Sequence, residues 1–367
     1  YNNNHINLSY MQNIKSVSLI LDDGTVFRGK SFGYEKATAG EVVFNTAMVG
    51  YPESLTDPSY SGQILVITFP LVGNYGVPPR SFNNDNLSTF YESEKIHVEG
   101  VIISDYSFEY SHWNATRSLA DWLKEEKIPG IFGIDTRELT KRLRENGSMK
   151  GKIVFDNDDE IDFIDPNMEN QVAKVSCKDI IIYERGRKRI VLVDCGVKHN
   201  IIRCLLKRDV TVVRVPWDYD FNMLSYDGLF ISNGPGNPDL CNATVENIRK
   251  AMKEDKPIFG ICMGNQLLAK ASGASTYKLK YGHRSHNQPV RMIGTDRCFI
   301  TSQNHGFAVD NSTLSDEWEP LFINMNDGTN EGIRHKAKPW FSAQFHPEAA
   351  SGPTDTEFLF DEFVNML

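Results

Sequence analysis

The sequence has no C-x-x-C pair, no excess of positive charge and no apolar run long enough to span a bilayer, and each absence closes a class of function. The six cysteines, at 177, 195, 204, 241, 262 and 298, show no close or regular spacing, so neither a zinc knuckle nor a disulfide scaffold is expected. Reduced thiols in a cytoplasmic setting fit that usage. A formal charge of -9 leaves nothing basic in bulk to neutralise phosphates, so no nucleic-acid or membrane partner is expected. Residues 1–10 are Asn-rich, lack the apolar centre of a signal peptide and precede Met11, and are expected to be a tail. The 367 residues suffice for about two domains.

What is present centres on Gly260-Ile261-Cys262-Met263-Gly264-Asn265-Gln266, between the apolar Pro257-Ile258-Phe259 and the helical-looking Leu267-Leu268-Ala269-Lys270-Ala271. A strand, a tight turn and a helix are predicted, with a cysteine at the corner. The G-x-C-x-G frame is the thiol counterpart of the nucleophile elbow, where small residues let the turn close. A sulfur at a helix start faces unpaired N–H groups and the positive end of the dipole, which favour thiolate. A lone cysteine is more often a small core residue; the framing glycines and the downstream partners argue otherwise here.

From Ser16, two strands joined by Asp22-Asp23-Gly24 are predicted. Gly24 to Ser31 matches the phosphate-loop expression G-x-x-x-x-G-K-S, but no helix follows to hold a phosphate, so the match is rejected. Strands are expected at Thr38–Thr46 and Gln63–Pro70, turns at Gly50-Tyr51-Pro52 and Asp57-Pro58-Ser59-Tyr60, and helices at Leu119–Lys124 and Asp135–Leu143. The acidic stretch 156–170 and the charged Glu184–Arg189 read as connection, with the basic run 185–189 as a solvated face. After it, strands at Ile190–Asp194, Val210–Val215 and Gly228–Ser232 alternate with helices at Asn200–Lys207 and Ala243–Glu254. That rhythm implies an α/β class with a doubly wound, mostly parallel C-terminal sheet, preceded by a smaller mixed α/β domain. The expected division is 11–150, a linker at 151–188, and 189–367.

Ligands in such sheets sit beyond the carboxyl ends of the strands, where Cys262 lies. Two further segments end strands there. Asn233-Gly234-Pro235-Gly236-Asn237-Pro238 is by itself a turn, but Gly234 or Gly236 could present an oxyanion donor beside the N–H of Met263. In Gln344-Phe345-His346-Pro347-Glu348-Ala349, residues i and i+2 of an extended chain share a face, so Glu348 can hold the His346 imidazole. His346 would then serve Cys262 as base and acid. His305 is a competing base without an acid until Asp310. His283 and His286 are spaced for a metal, but no Cys or carboxylate lies near them in sequence; a structural role and no metal are expected.

These motifs, in this order, resemble the triad-type (class I) glutamine amidotransferases, a flavodoxin-like fold, with Cys262, His346 and Glu348 as the catalytic set. Gly40–Thr46, Gly50-Tyr51, Leu55–Tyr60 and Ile134–Arg137 are similar to the amino-terminal domain of carbamoyl-phosphate synthetase small subunits. The resemblance implies hydrolysis of L-glutamine to glutamate and ammonia through a thioester on Cys262. It also implies glutamine contacts from Ser59, Gly234, Gly236, Met263, Gln266, Asn304, Gly306 and Phe307, with Ser59 reaching across from the first domain. The partner implied is a large synthetase subunit in a heterodimer, using ATP and Mg to make carbamoyl phosphate from bicarbonate for pyrimidine and arginine synthesis; no cofactor is expected in this chain. The sequence departs from the family pattern at Asn265, where a histidine is usual, and at Ser285 and Gln288. Another triad amidotransferase, such as the glutamine subunit of anthranilate or aminodeoxychorismate synthase, would lack the first domain of roughly 150 residues. A silent regulatory homologue would have replaced the nucleophile.

Overall fold

The computed structural model describes residues 14–156 and 160–367; the expected 1–10 tail and the start at Met11 lie outside the described residues. The chain divides into two compact units, one taking in residues up to Met48, Gly62–Arg80 and Val98–Asp165, the other Val49–Ser61, Ser81–His97 and Pro166–Leu367. Among the described residues no helix is long and apolar enough to cross a membrane.

Strands β1 (Ser16–Leu21), β2 (Val26–Ser31) and β3 (Thr38–Asn45) open the first unit. Helix α1 (Tyr51–Thr56) follows in sequence but belongs to the second unit. The first unit continues with β4 (Gln63–Ile67), β5 (Leu71–Val72), β6 (Gly100–Ile102), β7 (Asp105–Tyr106), α2 (Leu119–Glu125), β8 (Gly130–Phe132), α3 (Thr136–Asn146) and β9 (Met149–Phe155). Seven of these strands close into a barrel in the order β1-β2-β8-β6-β4-β3-β9. The phosphate-loop match falls on the turn and on β2, which returns antiparallel to β1; no helix starts there. Alternate residues Val17, Leu19 and Leu21 of β1 enter the barrel core with Val42, Ile64, Val66, Ile102 and Ile153. Helix α3 adds Leu139 and Leu143 to that core, starts on the Asp135 cap (Oδ1 to the Glu138 N–H, 2.8 Å) and stops at Gly147, φ +95°. Because β9 pairs with both β1 and β3, the first unit runs past the expected boundary at 150.

In the second unit, α4 (Gln171–Val175) and β10 (Ile181–Tyr183) occupy the stretch read as linker, and β10 pairs antiparallel with β12. The alternation then runs β11 (Arg189–Asp194), α5 (His199–Leu206), β12 (Thr211–Pro216), β13 (Gly228–Ile231), α6 (Asn242–Ala251), β14 (Ile258–Ile261) and α7 (Met263–Ala271). Four strands follow: β15 (Thr276–Met292), β16 (Cys298–Val309), β17 (Trp318–Asn324) and β18 (Asn330–His335). Strand β19 (Trp340–Ala343) and α8 (Phe358–Asn365) complete the chain. The sheet order is β10-β12-β11-β13-β14-β19-β18-β17-β15-β16. Its parallel part, β12-β11-β13-β14-β19, has the flavodoxin-like order in which the first strand lies between the second and third. The antiparallel β15–β18 extension was not foreseen from sequence.

Both faces of the parallel part are covered, which explains its continuous apolar runs. Val191, Val193, Leu229 and Ile231 join the core with Ile248 of α6 and Leu267 of α7, whereas Ile190, Leu192, Phe230 and Phe259 join that with Ile201 of α5 and Phe360 of α8. Phe230 stacks on Phe360 (5.7 Å) and meets Phe259 edge-on (5.0 Å); each such buried ring contributes about 1.5–3 kcal/mol.

Candidate active site

Strand β14 ends at Ile261 and α7 starts at Met263, which leaves Cys262 at the corner with φ 55° and ψ -102°. A non-glycine residue held there costs about 1–3 kcal/mol, and the surrounding hydrogen bonds hold it. The Cys262 N–H donates to Ala343 O (2.8 Å) and the Gly264 N–H to Ser232 O (3.0 Å), pinning the turn to the ends of β19 and β13. A Cβ at Gly264 would lie 2.2 Å from Ile231 O, and one at Gly260 would lie 2.5 Å from Gly264 O. Both glycines are therefore required for the corner to close. As the first helical residue, Met263 has an N–H with no acceptor in its own helix, directed with the dipole toward the sulfur's surroundings. Sγ of Cys262 lies 3.6 Å from Asn304 O.

Beyond β19 the chain is held by a His346 N–H bond to Ser302 O (2.9 Å). His346 Nδ1 and Glu348 Oε1 are 2.7 Å apart, both side chains fully enclosed. The expected pair forms, but through a turn closed by the Ala349 N–H to His346 O (3.3 Å) and not along an extended chain. The same Oε1 receives Lys198 Nζ at 2.7 Å. Burial pushes the Glu348 carboxyl up, but Lys198 and His346 outweigh it and hold it down at about 2. Burial and Lys198 push the His346 imidazole down, while Glu348 and the Cys262 sulfur outweigh them and hold it at about 9. Its Nε2 is buried and has no hydrogen-bond partner among the described residues.

A second group of polar side chains converges beside this set. The turn predicted at Gly50-Tyr51-Pro52 is instead the start of α1, with Gly50 at φ +85°, and a short 3-10 turn at Pro58–Tyr60 follows. Asp57 caps that turn, accepting from the Ser59 N–H (2.9 Å), while its other oxygen accepts from Asn304 Nδ2 (3.1 Å). Asn233 Nδ2 donates to Ser59 Oγ (2.9 Å), and its Oδ1 accepts from the Lys198 N–H (3.1 Å). Ser59 thus packs within the same unit as Cys262 and does not reach across from the first domain. Gly234 sits where a Cβ would meet Cys195 O at 2.1 Å, and Gly236 has φ +80°. Gln266 Nε2 donates to Phe307 O (3.0 Å) and Gln344 Oε1 (3.2 Å), leaving its own carbonyl oxygen as the group it can offer a ligand. Asn265, the departure from the family pattern, donates to Gln344 Oε1 (2.8 Å) and accepts from Ser342 Oγ (2.7 Å), tying α7 to β19.

The rival base is turned elsewhere. His305 Nδ1 donates to Phe307 O (2.8 Å) and its Nε2 lies 3.1 Å from Gln303 Oε1. His283 does have carboxylate neighbours, Asp327 Oδ2 at 2.8 Å and Glu331 Oε1 at 3.4 Å, supplied from more than forty positions downstream where sequence proximity gave no sign of them. His286 is not among them; it packs near Gly50 and Gly352. Asp57, Lys198 and Asn233 were missed as members of the site. Lys198 stands just after β11, at the carboxyl edge of the sheet, and that position was the available signal.

Residues 191–366 match the family model described as glutamine amidotransferase class-I, and residues 19–153 match that described as carbamoyl-phosphate synthase small chain, CPSase domain. The chain belongs to the carbamoyl-phosphate synthase small-chain family. Its small-chain match ends within β9, and its amidotransferase match begins within β11. Among similar family members, multifunctional protein pyr1-3 of Dictyostelium discoideum is 52% identical over 96% of this chain and 17% of its own length. Multifunctional protein CAD of Squalus acanthias is 53% identical over 95% of this chain and 16% of its own length. Carbamoyl-phosphate synthase [ammonia], mitochondrial, of Homo sapiens is 49% identical over 96% of this chain and 24% of its own length. The chain thus spans a quarter or less of the length of these relatives.

Proposed function

We propose that this chain is the glutaminase part of a glutamine-hydrolysing carbamoyl-phosphate synthase. The observation that carries the reading is the cysteine at a strained strand-to-helix corner beside a buried imidazole whose far nitrogen is held by a carboxylate 2.7 Å away. Cys262 as thiolate attacks the carboxamide carbon of L-glutamine, and the oxyanion is met by the Met263 N–H and a glycine N–H of the 233–238 loop. His346, as imidazolium, gives its Nε2 proton to the departing nitrogen; ammonia leaves and a thioester remains. Water then attacks the thioester carbon, His346 takes its proton, and glutamate departs as the thiolate reforms. Glu348 keeps the proton-bearing Nδ1 in place throughout. The substrate's amino-acid head is held by Ser59, Gln266, Asn304, Gly306 and Phe307 alongside Gly234, Gly236 and Met263, with the free Gln266 oxygen accepting from its ammonium group.

The ammonia passes to a large synthetase chain that uses ATP and Mg to form carbamoyl phosphate from bicarbonate, for pyrimidine and arginine synthesis. That division of labour is supported by the small-chain match and by β2, whose strand context denies this chain the one nucleotide-loop match it has. The six cysteines, all unpaired, accord with a cytoplasmic location.

The test is carbamoyl phosphate formation by this chain with its large synthetase partner, driven by glutamine or by ammonia, for wild type and Cys262→Ala. Loss of the glutamine-driven rate with the ammonia-driven rate retained is expected. Full glutamine-driven activity in Cys262→Ala would overturn the reading.

A further inference from the structure

Behind the strand that carries Asn304, Gly306 and Phe307, four hydrogen-bond acceptors face one another. His283 on β15 and His305 on β16 are direct cross-strand partners, just past an irregularity in the β15–β16 pairing that re-aims the strand at His283. Their rings stand nearly perpendicular at 5.0 Å. Gln303 lies two residues before His305 and so shares its face. Glu331, on β18, completes the group. His283, His305, Gln303 and Glu331 are all buried, the last completely.

Neighbouring groups fix which atom of each side chain is bare. His305 Nδ1 donates to the Phe307 carbonyl, so its Nε2 carries a lone pair. His283 Nε2 donates to the Asp327 carboxylate, which leaves Nδ1 as the nitrogen that a metal takes in exchange for its proton. Gln303 Nε2 donates to Thr301 Oγ1 (3.1 Å), which turns Oε1 inward. His305 Nε2 and His283 Nδ1 each lie 3.1 Å from Gln303 Oε1, and His283 Nδ1 is 3.4 Å from Glu331 Oε1, which also accepts from Asn324 Nδ2 (2.9 Å). Glu331 Oε2 has no hydrogen-bond partner among the described residues. Acceptors facing acceptors in a dry interior are costly unless something positive lies among them. One proton on Nδ1 of His283 serves one of them at a time; a cation at the centre serves all four.

The spacing selects the cation. A tetrahedron with metal–ligand bonds of about 2.0–2.1 Å has edges of about 3.3–3.4 Å, and three of the six separations, at 3.1, 3.1 and 3.4 Å, are of that size. The donor atoms of His283, His305 and Glu331 all lie within 4.8 Å of one another, the one such group among the described residues. Two imidazoles with oxygen ligands suit zinc rather than magnesium or calcium. Both imidazoles also donate their remote N–H to a carboxylate or a backbone carbonyl, the usual outer arrangement of zinc-bound histidines. Asp327 is partly exposed and marks the way in.

We propose that His283, His305, Glu331 and the Gln303 carbonyl form a zinc site that clamps β15, β16 and β18 together behind the segment 304–307. The sequence reading expected no metal here. His283 and His286 have a metal-like spacing, but the imidazole that meets His283 is that of His305, from across the strands.

The experiment titrates Zn²⁺ and, as a spectroscopic probe, Co²⁺ into the dialysed full chain. Wild type is expected to take up one equivalent, with the intense visible bands of tetrahedral cobalt. His283→Asn and Glu331→Gln abolish those bands, Asp327→Asn weakens binding by about 10–100-fold as loss of an outer partner does, and Cys298→Ser leaves it unchanged. Circular dichroism establishes that each variant is folded. Absence of stoichiometric binding in wild type would overturn the proposal, as would cobalt bands that survive in folded Glu331→Gln. A sulfur-to-cobalt charge-transfer band lost in Cys262→Ser would also overturn it, assigning the metal to the nucleophile instead.

Discussion

Replacing Lys198 with methionine removes the ammonium that Glu348 Oε1 shares with His346. At 2.7 Å, the gross attraction is about 6 kcal/mol at an effective dielectric of about 20. Desolvation of both ions offsets part of it, and removing one member of a buried pair costs about 3–5 kcal/mol net because the other is left enclosed and under-compensated. The acidic groups Asp57 and Glu92 also act on Lys198, so its loss unbalances three carboxylates. The pH dependence has a definite sign. Glu348 is held at about 2 against an ordinary 4.5, so its stabilising contribution is complete above 4.5 and is lost as pH falls toward 2. Without Lys198 that titration moves upward, and acid unfolding begins at a higher pH. Thermal and acid unfolding of Lys198→Met, followed by circular dichroism, should show both effects. The double variant Lys198→Met/Glu348→Gln should recover part of the loss, since no unpaired charge remains buried. A single variant within about 1 kcal/mol of wild type, or a double variant less stable than the single, would refute the reasoning.

The imidazolium of His346, held at about 9 chiefly by Glu348 against burial, should give the glutaminase rate an alkaline limb near pH 9, where the proton for departing ammonia is lost. Glu348→Gln should move that limb to lower pH and reduce kcat by up to about 10⁴-fold; an unmoved limb in the pH–rate profile would count against the assignment. The same raised value means that His346 stabilises the fold fully below 6.5 and progressively less as pH rises through 9. Gly264→Ala places a methyl 2.2 Å from Ile231 O, so a loss of about 1–3 kcal/mol or more and failure to trap a thioester are expected; a chain with wild-type melting would show the elbow to be looser than described. Asp57→Asn keeps one acceptor of two and should raise KM for glutamine about tenfold, the order expected for one charge-assisted bond, with a smaller change in kcat. Steady-state kinetics decides it, and a pure kcat effect would place Asp57 elsewhere in the chemistry.

The parts of the site written in local sequence were legible. The elbow needs two glycines and a cysteine within five residues, and His346 and Glu348 are two apart, so both are local in sequence, although a turn at Pro347-Glu348 and not the extended face expected brings the pair together. The α/β alternation from Ile190 was likewise readable, because strands covered on both faces are apolar throughout. Lys198, Asp57 and the acids beside His283 were not, since each meets its partner across long sequence separations that leave no periodic trace. Barrel closure in the first unit escaped for the same reason: β9 pairs with β1 and β3 through registers that no single stretch encodes. Gly50-Tyr51-Pro52 was read as a turn because glycine and proline punctuate turns; here they cap and open a helix instead.

The path of the chain between its two units has a consequence for how the molecule is made. It passes from one unit to the other five times, so the second unit is assembled from three separated pieces. Asp57 and Asn304 are 247 residues apart. At about 5–20 residues per second, Asp57 leaves the ribosome roughly 12–50 s before its partner exists. In the folded chain the segments 49–61 and 81–97 bond to each other through Glu92 N–H to Thr56 Oγ1, Ser93 Oγ to Thr56 O and His97 N–H to Leu55 O, contacts that need nothing from beyond residue 166. The remaining partners of these two segments in their unit all come from residues 166–367, made last. A gene fragment beginning at residue 166 would encode the whole parallel sheet yet lack Asp57, Ser59 and Glu92.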